Sequence, residues 1–290
     1  MVLVMLSVVA LSELMLWLGL VPDGPDPGWA GILIVLPAAL FANWVAIDRL
    51  ERLPLAALGL TGGWSAGRQL MSGTVIGVLL IAAVIGVLAL FGWVIWNPGG
   101  GMTEFATAGA SLTGVLLAAA WAEELLVRGY PLQVLAEGSG GVVAIGLTAI
   151  VFGLLHAANP NIGALPLVNL TLAGVLLGVA YWRTYSLWFA TGVHFGWNWA
   201  MGLSGLSVSG LELGMPVDAS LAGPALWTGG AFRPEGGLVV TFATAIGIVW
   251  MWRTTRLKRS LEVLSLRPLP ERYERITRGW GIDRNPEEIQ

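Results

Sequence analysis

Glu123 and Glu124 stand side by side in WAEELLVRGY, a stretch otherwise almost wholly apolar, and Arg128 follows four residues after the second acid. An ionisable residue inside an apolar span costs about 2.5–3.5 kcal/mol by insertion scales, so each one demands a reason. Glu124 and Arg128 are spaced i, i+4 and can pair on one helix face. Glu123 is turned about 100° away by the 3.6-residue period, so it is aimed elsewhere. One carboxylate can thus be held by arginine while the other is left for chemistry. The chain's two histidines sit in equally apolar surroundings. FGLLHAANPN puts Phe152 four residues before His156, with a helix break expected at Asn159 and Pro160. GVHFGWNW puts His194 and Asn198 on one helix face, about 6 Å apart along the axis. A carboxylate, two imidazoles and an amide are the parts needed to activate water and to stabilise an oxyanion.

Plainer readings exist for each residue. Acids near a span end can simply cap it and face water, and a lone histidine on an apolar helix is commonly a hydrogen-bonded core residue. Two histidines, each followed three or four positions later by an asparagine, weigh against that reading. Glu13, in the first apolar run, is expected to pair with a polar neighbour rather than join the site. Cysteine is absent, which excludes a disulfide framework, a thiolate metal site and a cysteine nucleophile. GLSG at residues 202–205 looks like a rhomboid serine motif, but a rhomboid needs a histidine on a later span and none follows His194. Neither HExxH nor GxGD occurs, which removes two further classes of intramembrane hydrolase.

The elements that must position these residues are membrane spans. Hydrophobic residues make up 56% of the 290 and charged residues only 11%, far below the roughly 25% of soluble domains. Because a helix needs about 20 apolar residues to cross the hydrocarbon core, eight spans are expected, near residues 2–20, 29–47, 72–96, 107–128, 141–158, 162–182, 187–203 and 237–253. The expected fold is therefore all-α, a polytopic membrane helical bundle. The first run lacks a preceding basic residue and a small-residue cleavage pattern, so it reads as a retained span rather than a signal peptide. Arg49, Arg52, Arg68, Arg128, Arg183 and the basic tail fall on one side of the predicted topology, while VPDGPDPG and NPGGGMTEFAT on the other carry acids and no bases. The basic side is cytoplasmic, which places both termini there. The partition is one helical domain over residues 1–254 and a basic, partly amphipathic tail over 255–290. In that tail Leu257, Leu261 and Leu264 are spaced for one helical face along the membrane surface.

The motifs EExxxR, FxxxH and HxxxN, in that order on successive spans, resemble the CAAX-endopeptidase and bacteriocin-processing (Abi, CPBP) family of intramembrane proteases. The resemblance spans residues 123–198, and GLSVSGLEL after Asn198 is similar to the segment that follows the last motif in many prokaryotic members. It implies an integral protein of a prokaryotic cell membrane that hydrolyses a peptide bond of a membrane-associated protein or peptide, with lipid rather than nucleic acid around it. It also implies that Glu123 is the general base, assisted by His156, and that Glu124, Arg128 and Phe152 support the site. His194 and Asn198 would donate to the oxyanion. The family has been described both as zinc-dependent and as a metal-independent glutamate protease. Glu123, His156 and His194 are the donors a zinc ion would take; a directly activated water is the preferred expectation. A non-catalytic membrane scaffold or immunity-type accessory protein that retains the polar cluster is the alternative.

One expectation exposes the whole scheme to refutation. Glu123 counts to about 8 Å from the cytosolic end of its span and His156 to about 22 Å, so straight helices would keep them apart. They meet only if the fifth helix stops inside the membrane, where irregular backbone is tolerated if it lines a protein cavity.

Overall fold

With no water in the bilayer core, backbone groups must bond within their own segment, and the long apolar stretches accordingly form helices. The structure, a computed structural model, describes residues 27–260 and Val263. The expected first span at 2–20, Glu13 and most of the tail lie outside the described residues. The chain runs through α1 (Pro27–Val45), α2 (Gly63–Leu90), β1 (Val94–Pro98), α3 (Met102–Arg128), α4 (Tyr130–Ser139), α5 (Gly141–Leu155), α6 (Ala164–Thr184), α7 (Leu187–Leu203), β2 (Val217–Leu221), the single turn α8 (Ala225–Thr228) and α9 (Leu238–Arg253). Three helical stretches among the described residues are long and apolar enough to cross a membrane: Leu55–Leu90, Met102–Ser139 and Ala164–Thr184. Gly141–Leu155 and Leu238–Arg253 are shorter apolar helices.

Several expected boundaries move. The third span begins earlier, at Gly63, and stops at Leu90. Residues 94–96, expected to be helical, belong instead to β1, which pairs antiparallel with β2 in the register Val94↔Leu221 to Pro98↔Val217. The fold is therefore helical apart from this one ribbon among the described residues. Val94, Ile95 and Trp96 supply the β-branched and aromatic side chains that suit it. The α3/α4 break was also not expected. At Gly129 the chain turns so closely against α1 that a Cβ would strike the Asn43 amide and the Leu125 carbonyl. Asn43 is fully buried and spans the break, donating to Leu125 O at 3.1 Å and accepting from Tyr130 N at 2.7 Å. In the tail, residues 254–260 are irregular rather than helical. They dock on the end of α6, with Ser260 N bonded to Thr184 O at 2.8 Å and the Arg259 guanidinium over the Tyr185 ring.

The helix that carries His194 is set by its contact with α2. Gly73 and Gly77 on α2 face Gly192 and Gly196 on α7, two interlocked small-xxx-small pairs. A Cβ on Gly192 would run into the backbone of Leu70 and Thr74, and one on Gly77 into that of Val193 and Trp197. Backbone cannot step aside as a side-chain tip can, so the four glycines fix both the separation and the register of the two helices. Gly192→Val is expected to lower stability by about 1–3 kcal/mol through overpacking. Cleavage activity should fall with it, because the displaced segment carries His194 two residues on. Thermal unfolding in detergent checks the first effect; unchanged unfolding would contradict the close approach.

Candidate active site

α3, α5 and α7 each bring one polar cluster to a common point. Glu124 and Arg128 lie on the buried face of α3, both side chains fully buried, with Arg128 Nη1 donating to Glu124 Oε1 at 2.9 Å. Arg128 Nη2 donates to the Gly174 carbonyl of α6 at 2.9 Å. Its guanidinium also lies 4.5 Å from the centroid of the Phe152 ring. Glu124 Oε1 takes a second hydrogen bond, from His194 Nδ1 at 3.0 Å. An ionised carboxylate can only accept, so that nitrogen carries the hydrogen and Nε2 is turned to the opposite side.

Glu123, one position earlier, points away from this pair, and its side chain keeps 32% exposure. Its Oε2 is 3.8 Å from His156 Nε2 and 3.8 Å from His194 Nε2. That oxygen is itself buried and has no hydrogen-bond partner within the protein. His156 Nδ1 lies 2.8 Å from the Phe152 carbonyl, an obligate acceptor, so this ring too presents Nε2 to Glu123. Phe152 packs against His156 at 4.8 Å with the rings tilted by 51° and meets His194 edge-on at 5.6 Å, so one ring contacts both imidazoles. Gaps of 3.8 Å are too long for direct hydrogen bonds and are the kind that one bridging water spans.

The meeting of Glu123 and His156 is made by the length of α5. Its 15 residues, from Gly141 to Leu155, rise about 22 Å, short of the roughly 30 Å core. The helix ends at Leu155, four residues before Asn159. Residues 156–163 then turn irregularly, and Asn159 Nδ2 donates to Ser209 O at 2.8 Å. The irregular backbone thus abuts protein.

Asn198 lines a cavity together with Phe152, His194 and Trp197, at the junction of α5, α6, α7 and α9. Glu235 lines the same cavity, and nothing in the spacing of the sequence singles it out. It comes from the turn Pro234–Gly236 ahead of α9, outside the expected spans, in a Gly-rich PEGG stretch that reads as loop. Only a carboxylate between turn residues next to a span could have flagged it. Its oxygens accept from Trp197 Nε1 at 3.2 Å and from Ser209 N. Asn169 anchors the turn by donating to the Glu235 and Gly237 carbonyls at 2.8 and 3.0 Å. Burial pushes the Glu235 carboxyl above the usual carboxylate range, against the Ser209 amide, the two imidazoles and the Trp197 indole, which favour its ionised form.

An oxygen and two imidazole nitrogens are ligand types that zinc accepts. Among the described residues, however, no three His, Cys, Asp or Glu side chains are disposed as a metal-holding group.

Helices of this length and apolarity, with a Glu–His–His cluster set between them, define an integral membrane protein of the polytopic helical kind. Residues 105–200 match the family model described as Rce1-like, type II CAAX prenyl endopeptidase. The match is consistent with the resemblance carried by the three motifs, and it takes in every residue from Glu123 to Asn198 while leaving Glu235 outside. Neither the curated proteins nor the solved structures contain a match to the chain.

Proposed function

We propose that this chain is an intramembrane endopeptidase that hydrolyses a peptide bond of a membrane-associated protein or peptide with water activated by Glu123. The observation that carries the reading is the buried, unpartnered Glu123 Oε2 with an imidazole Nε2 at 3.8 Å on either side. A scaffold that kept polar residues only to specify its fold would satisfy such an atom internally, since an orphaned buried acceptor costs about 1–3 kcal/mol.

In the proposed reaction a water between Glu123 and His156 gives its proton to Glu123 Oε2 as its oxygen attacks the scissile carbonyl. His156 orients that water through Nε2, its ring fixed by Nδ1–H to the Phe152 carbonyl. Asn198 donates to the developing oxyanion. With a carboxylate at each nitrogen, His194 can carry hydrogen on both, one given to Glu124 and the other to the oxyanion. Glu123 then passes its proton to the leaving amine, which restores the starting state. The eight-span arrangement with cytoplasmic termini belongs to the same proposal and rests on the asymmetry of basic loop residues.

Reconstitution in vesicles with membrane-anchored peptides, prenylated and not, tests the activity by mass spectrometry of the products. Failure to cut any anchored peptide would sink the reading. Cleavage is expected to persist at full rate after exhaustive treatment with 1,10-phenanthroline, because no step requires a metal. Loss of activity that added zinc restores would reverse this expectation and assign Glu123, His156 and His194 as ligands.

A further inference from the structure

We propose that the cavity beside the catalytic cluster is a water-binding site, held by Thr244, Glu235 and Asn198, that stores the water consumed at Glu123. The supply role rests on the proposed hydrolysis; the binding of water does not. A threonine inside a helix can turn its hydroxyl onto the carbonyl one turn back. Thr74, Thr107, Thr113, Thr148, Thr171, Thr184 and Thr241 all do so here, bonding Leu70, Thr103, Gly109, Ala144, Leu167, Ala180 and Gly237. Thr244 does not. It is 1% exposed, its Oγ1 has no partner within the protein, and it lines the cavity. Thr191 on α7 is likewise unpartnered but does not line that cavity.

The second observation is Glu235. Its two oxygens each take one hydrogen bond, from Trp197 and Ser209, which leaves further lone pairs unused. Among the described residues no Lys or Arg pairs with it; Arg233, two positions earlier, is engaged with the Ala219 carbonyl, Glu212 and Asp218. The third is size. The cavity has about 30 Å³ of space open to water, and one water needs about 10–15 Å³ together with two to four polar partners. Thr244, Glu235 and Asn198 supply that number, while Leu170, Leu176 and Leu177 contribute apolar wall. The lining is mostly apolar, but the hydroxyl, carboxylate and amide on it are the partners a bound water needs, whereas a purely apolar cavity stays dry.

Radiolytic hydroxyl-radical footprinting of the full chain in lipid discs reads bound water directly, because radicals form at the water itself and mark the side chains beside it. Trp197 and Phe152 are buried, at 8% and 3% exposure, as is Phe232 at 1%, which does not line the cavity. Trp197 and Phe152 are expected to be oxidised well above Phe232. Thr244→Val, which keeps shape and loses the hydroxyl, should lower their labelling about fivefold, the factor one net hydrogen bond carries. Thr244→Ser should restore it. In cleavage assays Thr244→Val should reduce kcat with KM unchanged, since substrate contacts are preserved. Protection of Trp197 and Phe152 equal to that of Phe232, or labelling unaltered in Thr244→Val, would overturn the water site. Labelling lost with kcat unchanged would overturn the supply role. Absence of cleavage by the unaltered chain would instead sink the proposed protease activity and leave the labelling result standing.

Discussion

Glu123→Gln is expected to lower kcat by about 10²–10⁴-fold, the range that a positioned general base contributes, with the melting temperature unchanged. The substitution keeps size and polarity and removes only the capacity to accept a proton. Little stability should be lost, because Glu123 Oε2 makes no hydrogen bond within the protein and the side chain is 32% exposed. That combination separates chemistry from folding, which a buried residue of this cluster would not do. Single-turnover cleavage of an anchored peptide gives the first number and thermal unfolding in detergent the second. Undiminished cleavage by the Gln variant would remove Glu123 from the mechanism.

The largest effect on stability should come from Arg128. Both members of the Glu124–Arg128 pair are fully buried, and the same guanidinium also satisfies the Gly174 carbonyl. Arg128→Leu leaves a buried carboxylate without its cation and a carbonyl without its donor, so a loss of about 3–5 kcal/mol is expected. Arg128→Lys should not rescue it, since an ammonium lacks the fork that reaches Glu124 and Gly174 together. The informative variant is Glu124→Leu combined with Arg128→Met. Replacing a buried pair by apolar residues of similar volume is often neutral for stability, so folding should largely return. Activity should not, because His194 Nδ1 loses its acceptor and the ring is no longer held. Chemical unfolding and cleavage, measured on the same preparations, separate the two. Full activity in the double variant would show that Glu124 has no positioning role.

The cluster was unusually legible because a membrane makes polar residues conspicuous. A soluble protein scatters carboxylates over its surface, whereas here 11% of residues are charged and the two histidines have no others to compete with. The i, i+4 spacing of Glu124 and Arg128 was sufficient to foresee their pairing, since a helix face is a local property. The glycines at 73, 77, 192 and 196 were also open to reading as small-xxx-small pairs. Their partners could not be read, because which helices pack together depends on the whole bundle. The ribbon of β1 and β2 escaped for a related reason: residues 94–96 continue an apolar run, and their strand partner lies more than a hundred residues away.

What the sequence alone determined, then, was composition and local geometry: the helical membrane character, the three motifs, and which face of α3 carries which acid. Hydropathy and a 3.6-residue period act over a few turns, and a linear chain displays both. Only the tertiary structure decided how far apart the motifs lie. It stopped α5 after 15 residues, so that His156 reaches Glu123 at 3.8 Å rather than the far side of the bundle. It also carried Glu235, from a turn with no recognisable spacing, into the same cavity as His194 and Asn198. Both outcomes depend on contacts between segments distant in sequence, set by packing and by hydrogen bonds such as Asn159 to Ser209 and Asn169 to the turn at Glu235. No local pattern encodes those contacts.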